Sequence, residues 1–500
     1  MIITPSKKNF LELVQHGNIP PLHAEIPYLS PCSVFESIAS INSFLLESVK
    51  GPEEIARYSF LGFDPCVIFK TKNSFVEIKS SDVRNMFSES PLSILKELMK
   101  TYKQIPCEYL PPFQGGMVGI FSYDFVHYLE QLPKTAFDDL LLPDAHFLMI
   151  DKVISFDHLL KKCWIIVCPG LKYSIQGTSS NRQIDWSEMY DEAEEEIRRI
   201  KKTVTGCTFQ AASKISEIRT SGHEQKIEII YEMKKHEYMD IVKRAKKYIA
   251  AGDIFQANLS QRVSGHIKGK RPWDLYKMLR SINPSPFAAF IDFGDYQIVS
   301  SSPERLIRVQ GKRVDTRPIA GTRPRGKDHI EDELMRAELL LNEKERAEHI
   351  MLIDLERNDL GRVSEYGSVR VDELMTTEDY SHVIHIVSNV AGNLAKGRDC
   401  FDAVQAAFPG GTITGVPKVR CMEIIDELEP IRRGPYTGSI GYLGFSGNAD
   451  LNIVIRTFVI KDNMAYVQAG AGIVADSDPD KEYFETLKKA EALIKTLERV

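Results

Sequence analysis

Short apolar runs separated by equally short turns constrain this chain more than any other feature. Residues 287–293 and 296–301, and again 306–309 and 313–316, read as strand pairs joined by a turn containing glycine. Connections of that length join antiparallel neighbours, because a parallel neighbour needs a crossover of about a dozen residues or more. The same alternation fills residues 27–170, as in Phe44-Leu-Leu-Glu-Ser48, Tyr58-Ser-Phe-Leu-Gly62, Gln114-Gly-Gly116 with Val118-Gly-Ile-Phe121, and Phe147-Leu-Met-Ile-Asp-Lys-Val-Ile-Ser-Phe156. Helical spacing punctuates it. Residues 186–202 carry acids early and bases late, residues 236–251 end at Gly252, one long helix is expected over 328–355, and a terminal helix over 480–497. Further strands are expected at 254–263, 438–445, 453–460 and 465–468, so the fold class is α+β. The stretch 203–225 lacks apolar periodicity and reads as a linker between an N-terminal part, 1–202, and a C-terminal part, 226–500.

With 500 residues, 43% of them hydrophobic, the chain can bury a large core. A net charge of -6 with interspersed signs argues against nucleic acid as a partner and for a small-molecule substrate. The eight cysteines form no CxxC pair or zinc spacing, which fits reduced thiols. Neither a signal-like apolar run nor a stretch of membrane-spanning length is seen, so a cytoplasmic protein is expected.

Chemistry concentrates in the C-terminal part. Phe408-Pro-Gly-Gly-Thr-Ile-Thr-Gly-Val-Pro-Lys418 offers bare backbone flanked by hydroxyls and a lysine, a combination suited to an anion. Two helices each present acids three apart, Glu345 with Glu348 and Glu482 with Glu485; facing each other, they would offer oxygen ligands to a hard cation, naturally Mg²⁺. Such pairs are also common on solvated helix faces. Lys489, one turn after Glu485, could reach a substrate carboxylate. His385 lies in the apolar run Val383-Ile-His-Ile-Val387, where a histidine is expensive unless used or satisfied; His382 just before it reads as a satisfied one. Gly470-Ala-Gly472 follows a strand and could hold a carboxylate on its N–H groups, and Arg456 ends the run from Asn452 as a charge facing a ligand or an acid.

Together these motifs resemble the chorismate-utilising enzymes, specifically the component I subunits of anthranilate synthase and aminodeoxychorismate synthase, over nearly the whole chain. The resemblance implies two packed antiparallel sheets with surrounding helices. It implies Mg²⁺ held by Glu348 and Glu485 with Glu345 and Glu482 beside them, His385 as the active-site histidine, and Thr412, Tyr436, Arg456, Gly470, Gly472 and Lys489 around chorismate; Lys418, at the end of the glycine-rich stretch, is expected to bind the substrate as well. Active-site acids, Glu345 among them, would protonate the leaving hydroxyl. Leu45-Leu-Glu-Ser48 and Asn283-Pro284 resemble the family's tryptophan pocket, a candidate effector site.

Family members that activate water carry lysine where this chain has Gln256. Glutamine is no general base at neutral pH, whereas ammonia is already a nucleophile, so amination is expected. The chain has no Gly-x-Cys-x-Gly elbow, so ammonia should come from a glutamine amidotransferase subunit, component II, or from free ammonium. Ala320 and the Ser48 motif favour anthranilate; Gly410, Ala288 and the runs 432–441 and 451–456 favour aminodeoxychorismate, the branch of 4-aminobenzoate and folate, and the reading leans to the latter. A different class of protein, an inactive regulatory relative, is opposed by the intact set Glu348, His385, Thr412, Arg456 and Glu485.

Overall fold

Strand pairing in the computed structural model, which describes the chain apart from residues 54, 81–82, 177–183, 207–226 and 380–382, is antiparallel between all neighbours in two sheets of 12 strands each. The hairpin Phe287–Asp292 with Gln297–Ser302 lies in the first sheet and Arg305–Gln310 with Arg313–Arg317 in the second, as the glycine turns lead one to expect. The run 147–156 behaves differently. Ala145–Ile150 belongs to the second sheet and Lys152–Asp157 to the first, so the turn at Asp151 carries the chain across the core instead of closing a hairpin. Both strands are buried along their length, which a strand sandwiched between layers requires.

The sheets pack face to face. Phe44, Phe60, Ala289, Ile291 and Ile298 of the first meet Val118, Ile120, Leu148, Ile150 and Ile440 of the second in one apolar cluster. Outside, the terminal helix Pro479–Arg499 packs on Met464–Ile473, burying Ala490, Leu493 and Leu497, and helix Glu343–Gly361 covers Ile319–Pro324 and Val383–Asn393. No described helix is long and apolar enough to cross a membrane. The described cysteines are free, most of them buried or half-buried among apolar side chains; Cys207 lies outside the described residues.

Four sequence expectations need correction. The 328–355 helix is two, His329–Leu341 and Glu343–Gly361, because Asn342 turns extended and caps the second by accepting the Glu345 N–H at 3.0 Å. The strand 453–460 is interrupted: Ala449–Asn452 is in the second sheet, Thr457–Lys461 in the first, and Arg456 sits in the crossing at φ 51. Gly470 and Gly472 lie within strand Met464–Ile473, not after it. Finally, residues 203–206 finish helix Trp186–Gly206, the rest of the expected linker, like His382, lies outside the described residues, and both sheets draw strands from either side of it, so the 203–225 boundary divides the sequence but not the cores.

Candidate active site

The site forms where the chain twice changes sheets. Between Gln297–Ser302 and Arg305–Gln310 the crossing carries Glu304; between Ala449–Asn452 and Thr457–Lys461 it carries Arg456. The two crossings are stitched together, Ile453 N–H donating to the Glu304 carbonyl at 3.0 Å and Ser301 N–H to the Arg456 carbonyl at 3.1 Å. Irregular backbone at such points frees side chains from the ladder to face a ligand. Glu304 was not singled out from sequence, since Ser302-Pro-Glu-Arg305 looks like a polar turn; the proline between two strands was the available signal. It is buried, accepts the Thr412 hydroxyl at 2.8 Å, and is pushed up to about 7 by desolvation, against the pull of Thr412, the Ile319 N–H, Arg456 and Lys489. His385 approaches from strand Val383–Asn393. Its Nδ1 lies 2.9 Å from Thr322 Oγ1 and 3.2 Å from the Gly321 carbonyl, and burial, helped by Arg456, lowers it to about 3. Gly321 makes this approach through a bulge at φ 63, where a side chain would overlap Glu345.

A second wall is built on strand Gln256–His266 and its partner Met464–Ile473, where Asn258 faces Gly472 and Ser260 faces Gly470. The glycines leave room that side chains occupy. A Cβ on Gly472 would lie 2.5 Å from Gln256 Nε2 and 3.8 Å from Glu348 Oε1; one on Gly470 would overlap Asn258 Oδ1 and lie 2.8 Å from the Tyr436 hydroxyl. Gln256 Nε2 donates to Glu348 Oε1 at 2.9 Å, while the side-chain oxygens of Gln256 and Asn258 are buried with no hydrogen-bond partner. Asn258, also missed from sequence, is thus a free acceptor beside the glycines. Lys489 Nζ reaches the Gly470 carbonyl at 3.0 Å and Glu485 at 2.9 Å. Glu348 and the Lys489–Glu485 pair therefore meet the strand two residues apart, about 7 Å along it.

The glycine-rich loop is clamped from beneath. Gly415–Val416 pairs with Gln256 and Ala257, and the buried Arg433, neutralised by Glu429, donates to the carbonyls of Ile413 and Asn258. Lys418 corrects the expectation of a substrate contact: its ammonium binds Asp359 and the carbonyls of Ala407 and Pro409, which locks the loop instead of facing a ligand. Glu345, the expected proton donor, is taken up by Arg323 at 2.7 Å, and the acid beside Thr412 is Glu304 instead. Among the described residues no group of three or more His, Cys, Asp or Glu is gathered for a metal, so Glu348, Glu482 and Glu485 do not form a ready-made cage.

A separate cavity of about 390 Å³ opens between the sheets. Its lining includes Glu47, Ser48, Arg57, Tyr58, Pro286, Arg305, Asp450 and Asn452. Ser48 is there, its hydroxyl donating to the Pro286 carbonyl at 3.1 Å; Asn283 and Pro284 are not among the described lining residues, Asn283 being turned to the Ser301 hydroxyl at 3.0 Å.

Beside this arrangement of a buried acid, a buried histidine and two glycines facing side-chain amides stands what comparison finds: residues 42–495 match the chorismate binding enzyme family, and the chain belongs to it. Within that family it is of the anthranilate and aminodeoxychorismate synthase type. It is 43% identical over 485 residues to anthranilate synthase component 1 of Acetivibrio thermocellus, covering 96% of each chain. It is 44% identical over 467 residues to aminodeoxychorismate synthase component 1 of Bacillus subtilis (strain 168), covering 93% of this chain and 94% of that one. The crystal structure of anthranilate synthase component I from Streptococcus pneumoniae TIGR4 matches with a TM-score of 0.73 at 34% identity, over 94% of this chain and 99% of the other.

Proposed function

We propose that this protein aminates chorismate as component I of an aminodeoxychorismate synthase, taking ammonia from a glutamine amidotransferase subunit or from free ammonium. The observation that carries amination is Gln256. Its amide is anchored on Glu348 and its carbonyl oxygen is an unused buried acceptor, able to orient an N–H of ammonia but unable to deprotonate water. Glu304, holding a proton near neutrality and touching Thr412, supplies that proton to the leaving hydroxyl, which departs as water. Arg456 and Lys489 take substrate carboxylates, and Gly470 and Gly472 make room for the Asn258, Tyr436 and Gln256 side chains that face the substrate.

Mg²⁺ fits the donor set. The acids available are hard oxygen donors, and Mg²⁺ is commonly held by one or two carboxylates completed by water and substrate oxygens, so the lack of a three-acid group among the described residues is no obstacle. Glu348 and Glu485 would hold it, with Glu482 nearby. When bound it supplies positive charge that fixes and polarises a substrate carboxylate.

For the product, the reading leans on Gly410, Ala288 and the runs 432–441 and 451–456, which resemble the aminodeoxychorismate branch. A second reading, anthranilate synthase component I, is favoured by Ala320 in strand Ile319–Pro324, which leaves that strand without a nucleophilic lysine. The cavity beside Ser48 is read as an amino-acid effector pocket in either case. The deciding experiment gives the purified protein chorismate, Mg²⁺ and ammonium. No fluorescent anthranilate, with 4-aminobenzoate formed once a separate lyase is added, is expected; anthranilate matching chorismate loss would overturn the branch, and no chorismate loss would mark an inactive relative.

A further inference from the structure

Polar side chains occupy every second position at the start of strand Gln256–His266, and they differ in how far they are satisfied. Ser260 is closed: its hydroxyl donates to Glu429 at 2.8 Å and accepts from Gln468 Nε2 at 2.8 Å. Asn258 is not. It is 9% exposed, and its side-chain oxygen has no hydrogen-bond partner among the described residues. A buried amide oxygen left in that state costs free energy, so each one calls for a donor from elsewhere. The side-chain oxygen of Gln256, two residues earlier and about 7 Å along the strand, is in the same condition.

The backbone that carries the Asn258 oxygen is fixed from both sides. Its N–H donates to the Thr414 carbonyl of the glycine-rich loop at 2.9 Å, and its carbonyl accepts from Arg433 Nη2 at 2.6 Å. Gly470 on the partner strand makes the room: a Cβ there would overlap Asn258 Oδ1 and lie 2.8 Å from the Tyr436 hydroxyl, so both atoms converge on the space of one missing side chain. The carbonyl of the same glycine accepts from Lys489 at 3.0 Å. An uncharged acceptor held this firmly selects a ligand rich in donors. Ionised carboxylates have none to offer. Chorismate has a single hydroxyl, and in the reading above that is the leaving group, assigned to Glu304 beside Thr412. Ammonia brings three N–H groups, and acceptors that take them leave its lone pair free to face the ring.

We propose that Asn258 binds the nucleophile: its side-chain oxygen, together with that of Gln256 on the same strand, accepts N–H groups of ammonia. This rests on the amination reading but on neither choice of product, since both branches consume ammonia.

The test measures amination of chorismate by the full chain with Mg²⁺ at one pH, for wild type and for Asn258→Leu, which keeps the bulk of the side chain and removes the acceptor. Ammonium is varied at saturating chorismate, then chorismate at saturating ammonium. The KM for ammonium is expected to rise about tenfold while that for chorismate changes less than about twofold. An unmoved KM for ammonium overturns the inference, with or without a fall in kcat. A KM for chorismate that rises as far as the one for ammonium also overturns it, because Asn258 would then serve the ring or the shape of the site. Should Asn258→Leu fail to fold, Asn258→Ala removes the same acceptor and is judged by the same split. Wild type that consumes no chorismate with ammonium overturns this inference together with the amination reading; wild type that aminates, with an unmoved KM for ammonium in the variant, overturns this inference alone.

Discussion

The cavity beside Ser48 and the candidate active site around Glu304 lie in one pair of sheets, yet they treat charge in opposite ways. Around the first, ionic groups are matched at close range: Glu47 accepts from Arg280 and Tyr276 at 2.7–2.8 Å, Arg57 binds Asp157 at 2.8 Å, and Arg305 binds Asp450 at 3.0 Å. Around the second, burial outweighs pairing: Glu304 accepts the Thr412 hydroxyl and is pushed up to about 7 in spite of Arg456 and Lys489. Local pairing holds charges in place; burial without full pairing leaves a group whose proton can be moved.

The largest break in that contrast should come from Glu304→Gln, which keeps the shape and removes the proton; kcat should fall about 10²–10⁴-fold with an unchanged circular dichroism spectrum. The same variant tests the linkage. Folding raises the Glu304 pKa from an ordinary 4.5 to about 7, so the folded chain binds more protons between those values and its stability declines as pH rises through that window. Glu304→Gln should flatten this slope in denaturant titrations across pH 4.5–7; a slope as steep as wild type would mean another group is responsible. Next, Glu485→Gln should lower amination about 10²-fold at ordinary Mg²⁺ and shift the Mg²⁺ dependence upward, because one of few anionic ligands is lost; full activity at low Mg²⁺ would remove Glu485 from the metal site. Gln256→Lys should cut amination about tenfold and yield some hydroxylated product, since a desolvated lysine can act as a base near neutral pH. Product analysis showing neither change would mean that Gln256 does not select the nucleophile. In the Ser48 cavity, Glu47→Gln strips a buried carboxylate from Arg280, which is 35% exposed and partly screened by solvent, and the expected loss is about 1–2 kcal/mol of stability, read as a lower Tm. A fall in kcat exceeding the loss of folded protein would erase the distinction between the two regions.

How far this was legible in sequence follows from which interactions are local. Strand alternation, glycine turns and acids three apart on a helix are local patterns, and the hairpins, sheets and positions of Glu345 and Glu348 follow them. Which sheet a strand joins is not local, because an all-apolar run is equally at home in either layer; hence the crossings at Asp151, Glu304 and Arg456 could not be seen. Lys418 reads as an anion ligand beside two glycines until Asp359, 59 positions away, is brought against it. The helix break at Asn342 was readable, an asparagine three before a glutamate being an N-cap signal, but helix-favouring residues on both sides of it made one long helix the simpler reading.

Sheets assembled from both ends of the chain also dictate when they can be assembled. Strand Ser43–Glu47 has Phe287–Asp292 for a neighbour, and Glu47 waits for Arg280, 233 positions on. At ribosomal speeds of about 5–20 residues/s that wait is roughly 10–50 s, during which the emerging N-terminal strands present unpaired edges to the cell. The newborn chain therefore keeps an open edge at Ser43–Glu47 until Phe287–Asp292 has appeared, and a copy truncated before that strand lacks the neighbour that closes the edge.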